Sequence, residues 1–77
     1  MVITIQKRFY LYCGLEISKT EFSYIINRFL NENIEYVKSS IGLFSKEGNK
    51  FVLYNKEGSR IYEADKMVPE CWVQSVY

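Results

Sequence analysis

The sequence has no histidine. That removes His-based catalytic triads, the usual proton shuttle near neutral pH, and most zinc sites. The only cysteines, Cys13 and Cys71, are too few and too far apart for a metal motif. No metal and no cofactor is expected. Both thiols are expected to be free and to pack as small hydrophobes; a disulfide stapling the two ends, which no secretion signal supports, and a reactive thiol are the alternatives. The four glycines form no phosphate-binding loop. No apolar run approaches the ~20 residues that a membrane-spanning helix needs. Met1 to Ile5 carry no basic segment ahead of an apolar one, so no signal peptide is read there and a cytoplasmic location is expected. Neither sign of charge dominates: ten basic and nine acidic side chains leave +1. That balance lacks the electrostatic footprint of a duplex-DNA binder.

What is present is foldable. Of the 77 residues, 48% are apolar and 17% aromatic, which excludes disorder by composition. The length suits one domain, 1–77. A core of this size supplies only about 3–5 kcal/mol, which leaves little structure for a deep catalytic cleft. The lean toward Ile, Lys, Asn, Tyr and Phe, residues with AT-rich codons, suits a phage or mobile element of a low-GC bacterium.

Residues 2–13 alternate as one long strand, with Ile3, Ile5, Phe9, Leu11 and Cys13 on one face and Arg8, Tyr10 and Tyr12 on the other. Lys7 interrupts the apolar face, so a break near Gln6–Arg8 is allowed for. A helix start follows. Ser18 and Glu21 have capping-box spacing, and Ile17 with Phe22 has that of a hydrophobic staple. Phe22, Ile25, Ile26, Phe29 and Leu30 then form one stripe, which predicts a helix over about 19–31. Ile34 to Lys38 is strand-like. Pro69 suits the start of a last strand, Cys71 to Tyr77.

A tandem decapeptide is the most informative feature. Leu43-Phe44-Ser45-Lys46-Glu47-Gly48-Asn49-Lys50-Phe51-Val52 is followed by Leu53-Tyr54-Asn55-Lys56-Glu57-Gly58-Ser59-Arg60-Ile61-Tyr62, matched in residue type at each step. A period of ten equals one strand plus one tight turn. Ser45 and Asn55 suit the first turn position, and Gly48 and Gly58 the fourth, which predicts the same three-residue loop twice. The result is a three-stranded meander over about 41–63. Its register sets Leu43 opposite Phe51, Ile41 opposite Leu53, and Leu53 opposite Ile61. Those residues then face the helix. Phe44, Lys50, Val52, Tyr54, Arg60 and Tyr62 face outward. The fold class is α+β, one helix on an antiparallel sheet in the order β-α-β-β-β-β.

No residue constellation carries catalysis, so the chain is read as a non-enzyme. Glu47 and Glu57 sit at turn tips. Glu63, Asp65 and Glu70 read as a solvated loop. The outer face is the best functional lead. The candidate partner-binding residues are Tyr10, Tyr12, Phe44, Lys50, Tyr54, Arg60 and Tyr62, because tyrosine and arginine are enriched at interface hot spots. Aromatic residues also favour strands for packing alone, so the face can equally be plain sheet surface. The expected function is a small interaction protein, an accessory or inhibitor type, that binds a protein partner. A single-stranded nucleic-acid binder, stacking bases on the same face, and an obligate homodimer are the alternatives. The aromatic motif of RNA-recognition domains is absent.

Overall fold

The computed structural model describes residues 7–76. The expected strand over Val2–Gln6 lies outside them. The rest of that segment is a hairpin. Strand β1 (Arg8–Leu11) turns through Gly14 (φ +89°) into β2 (Glu16–Ser18), with Phe9 opposite Ile17. The single long strand expected here is thus shorter and followed by a second.

Helix α1 (Lys19–Asn31) begins where its cap residue dictates. The Glu21 amide donates to Ser18 Oγ at 3.1 Å, which satisfies one of the unpaired first-turn donors. The reciprocal half of the capping box is replaced. The Glu21 carboxylate accepts instead from Ser40 Oγ (2.5 Å) and from the Ser40 amide (3.4 Å), tying the helix start to a residue 19 positions further along the chain. Phe22 and Ile25 are fully buried. Ile26 and Phe29 are half-buried, and Leu30, expected in the stripe, is 73% exposed.

Strands β3 (Tyr36–Ser39), β4 (Gly42–Glu47), β5 (Lys50–Tyr54) and β6 (Arg60–Ala64) form a four-stranded antiparallel meander. The last segment is not strand throughout. Pro69 opens a one-turn helix, α2 (Pro69–Trp72), as its fixed φ favours at a first helical position. Strand β7 (Val73–Val76) then pairs with β1, completing a separate three-stranded sheet, β2-β1-β7. The fold is therefore α+β, with one main helix and two antiparallel sheets. Among the described residues no helix is long and apolar enough to cross a membrane.

The register of the first hairpin differs from expectation. Leu43 pairs with Tyr54, Phe44 with Leu53 and Glu47 with Lys50, across a two-residue Gly48–Asn49 loop. Gly48 has φ +62°, as the first residue of a Gly-X hairpin loop requires. The second hairpin does use the expected turn. The Gly58 amide donates to the Asn55 carbonyl at 2.9 Å, and Asn55 Oδ1 accepts from the amides of Glu57 and Ser59. Ser45 makes no such turn; it stays in β4 opposite Val52. A longer acceptor side chain at Asn55 is the difference, since Asn nucleates such turns more strongly than Ser. A bulge at Ile61 in β6, opposite the Leu53–Tyr54 step, then shifts the second ladder, so Tyr62 rather than Ile61 faces Leu53.

The consequence is a partial swap of faces. Phe44, expected outside, is fully buried. Tyr62, also expected outside, packs on the core side against Trp72, with ring centroids 4.9 Å apart. Leu43, expected to face the helix, pairs with Tyr54 on the other side. Trp72 sits at the centre, its indole N–H donating to the Lys66 carbonyl at 2.9 Å. Phe22, Phe44 and Tyr62 surround it, and Phe9 packs edge-on to Phe22. Burial of each such side chain contributes about 1.5–3 kcal/mol.

Candidate functional site

The helix and Trp72 cover one face of the four-stranded sheet. The other face is built by strand alternation. Phe51 and Leu53 point to the core, so Lys50, Val52 and Tyr54 point away. Their cross-strand partners follow. Glu47, Ser45 and Leu43 come from β4, and Glu63 and Arg60 from β6. Strand β3 adds Tyr36 opposite Ser45 and Lys38 opposite Leu43.

A chain of polar contacts runs across this face. The Tyr54 hydroxyl donates to the Glu47 carboxylate. Arg60 lies 3.6 Å from Glu47 and 3.3 Å from Glu63, and Lys50 lies 3.5 Å from Glu63. All four charged side chains are about half exposed, so each pair contributes at most about 1 kcal/mol. The Tyr54 phenol is held above its usual pKa. Its hydrogen bond to Glu47 is the main cause, followed by burial and the Glu47 charge, with Arg60 opposing. Beside this network lie apolar surfaces. Val52 is fully buried between Ser45 and Glu63, Leu43 is half-buried, and Tyr36 is 59% exposed.

Of the seven candidates read from the sequence, Lys50, Tyr54 and Arg60 come together here. Phe44 and Tyr62 do not, because the register of β4 and the bulge in β6 turn them inward. Tyr10 and Tyr12 belong to the other sheet and the turn that follows β1. Tyr10 lies between Glu16 and Ser75, and Tyr12 stacks on Tyr62 at 6.3 Å. Sequence reasoning missed Tyr36, Lys38, Glu47 and Glu63 as members of this face. The strand-like run Ile34–Lys38 was a signal for the first two, but its partner strand was unassigned.

Comparison of the chain with protein families, with curated proteins and with solved structures gives no match.

An open depression of about 270 Å³ lies where Leu15 and Ile41 meet Ser40 and the Asn55–Glu57 turn. Among the described residues no three Cys, Asp or Glu side chains are grouped to hold a metal ion.

Proposed function

We propose that this chain is a non-catalytic, cytoplasmic protein-binding domain that uses the outer face of its four-stranded sheet. The observation that carries the reading is the composition of that face. Exposed Tyr36 and half-buried Tyr54 and Leu43 lie among Lys38, Lys50, Arg60, Glu47 and Glu63. Aromatic and apolar side chains set among charges of both signs match the make-up of protein interfaces. A nucleic-acid partner fits less well. Arg60 and Lys50 each have a carboxylate within 3.6 Å, and those carboxylates would repel phosphates.

The test is affinity capture from cell extract with three baits: the unchanged protein, Tyr36→Ala/Tyr54→Ala, and Arg60→Ala. Each is run with and without nuclease. The reading expects a protein that survives nuclease, is retained by the unchanged bait and is lost or weakened with both variants. Equal capture by all three baits would refute it. Capture that nuclease abolishes would favour the nucleic-acid alternative.

A further inference from the structure

Two chain segments converge where the three-stranded sheet ends. Leu11 on β1 pairs with Val73 on β7, and one step outward the Tyr12 amide donates to the Trp72 carbonyl at 3.1 Å. The next residues on these antiparallel segments are Cys13 and Cys71. Each cysteine thus sits one residue beyond a backbone contact of 3.1 Å between the two segments. Disulfides span Cα separations of roughly 4.4–6.8 Å. The two segments leave the ladder here, Cys13 into the turn before β2 and Cys71 inside α2. Both thiols are free and half-buried against the core. A second observation gathers them around one group. The Tyr62 hydroxyl donates to the Cys71 carbonyl, and both thiols lie near enough to that phenol to add to the upward shift that burial and Tyr12 already give it.

We propose that Cys13 and Cys71 form a redox pair, open as two thiols at rest and closed to an intramolecular disulfide by a low-molecular-weight disulfide such as glutathione disulfide. The thiolate of one cysteine attacks a sulfur of glutathione disulfide and releases one glutathione. The thiolate of the other attacks the protein sulfur of this mixed disulfide and releases the second. Two protein thiols are oxidised, and one glutathione disulfide is reduced to two glutathiones. The new bond ties the β1–β2 turn to α2 across the Tyr12–Trp72 contact, locking β7 and Trp72 onto β1. It closes a loop that spans most of the chain, so it raises stability by restricting the unfolded state.

The experiment uses the folded protein, incubated with glutathione disulfide without denaturant and then digested after Arg8, Lys19 and Lys66. The expected product is a monomer lighter by two hydrogens, with peptide Phe9–Lys19 linked to peptide Met67–Tyr77. Its Tm rises by at least about 5 °C, and dithiothreitol reverses both changes. Cys13→Ser and Cys71→Ser, near-isosteric variants, should each retain one glutathione instead. The proposal fails if the folded protein ends with glutathione on its cysteines and no linked peptide. It fails equally if the product is a cross-linked dimer, if no reaction occurs, or if the link forms only in urea. A linked protein with an unchanged or lowered Tm would overturn the claim that the native geometry suits the bond.

Discussion

Replacing Gly42 by alanine adds one methyl group at the first residue of β4, where φ is +145°. A Cβ at that position stands 2.1 Å from the Tyr54 carbonyl oxygen and 3.1 Å from its carbon. The obstacle is backbone, held in place by the Leu43–Tyr54 pairing, so no side chain can swing aside. The conformation alone costs a non-glycine residue about 1–3 kcal/mol. Relieving the contact by parting β4 from β5 adds about 1–3 kcal/mol, the usual cost of overpacking. The sum, about 2–6 kcal/mol, is comparable to the whole net stability of about 3–5 kcal/mol expected of so small a domain. Gly58→Ala is the control. Its φ is +87°, but the added Cβ meets nothing within 4 Å, so only the backbone cost of about 1–2 kcal/mol remains. Urea unfolding followed by the fluorescence of Trp72, the single tryptophan, measures both. Gly42→Ala should be largely unfolded in buffer, while Gly58→Ala should show a cooperative transition at lower urea than the unchanged protein. Equal losses for the two variants would refute the reasoning and the close approach of β4 to Tyr54 on which it rests.

Other outcomes follow from the same packing. Phe22→Ala, at a fully buried ring, should cost about 3–5 kcal/mol; Phe29→Ala, at a half-buried ring packed edge-on to Phe51, should cost clearly less, and Leu30→Ala should stay within about 0.5 kcal/mol, all read from urea midpoints. Asn55→Ala removes the acceptor for the Glu57 and Ser59 amides and should cost about 1 kcal/mol; an unchanged midpoint would show that the turn does not depend on it. The Tyr62 phenol is raised chiefly by burial, with Tyr12 and the two thiols adding. The folded state therefore favours the neutral phenol. Its contribution is complete below the unfolded pKa of about 10 and is lost as pH rises through the higher folded value. Stability measured from pH 8 to 11.5 should fall on the alkaline side, and Tyr62→Phe should flatten that fall while lowering stability at pH 8 through loss of the bond to Cys71.

The helix was legible because its signals are local. Ser18, Glu21 and the Phe22–Phe29 stripe act within the segment itself, and the structure places α1 at Lys19–Asn31. The Asn55–Gly58 turn was legible for the same reason. The first hairpin was not. Its two decapeptide copies look alike, yet a two-residue loop at Gly48–Asn49 and a three-residue loop at Lys56–Gly58 follow. Two things separate the copies: Asn55 accepts from the Glu57 and Ser59 amides where Ser45 makes no turn, and Phe44 rather than Leu43 packs against Trp72. The bulge that turns Tyr62 inward answers to the same aromatic cluster. The outer face was therefore read correctly only on β5 and at Arg60, and Tyr36 joined it through a pairing that no local signal announced. The α2 turn was hidden because Pro69 suits a strand start as well as a helix start.

The central claim is that the outer face of the β3–β6 sheet meets the partner. Tyrosine nitration in the free protein and in the complex with the captured partner tests it most directly. Tyr36 on that face and Tyr24 on the outward side of α1 are 59% and 52% exposed, so they should react alike in the free protein. Peptide mass spectrometry then reports each site. The account predicts that the partner protects Tyr36 several-fold and leaves Tyr24 unchanged. Protection of Tyr24 with Tyr36 still reactive would contradict it and move the interface to the helix.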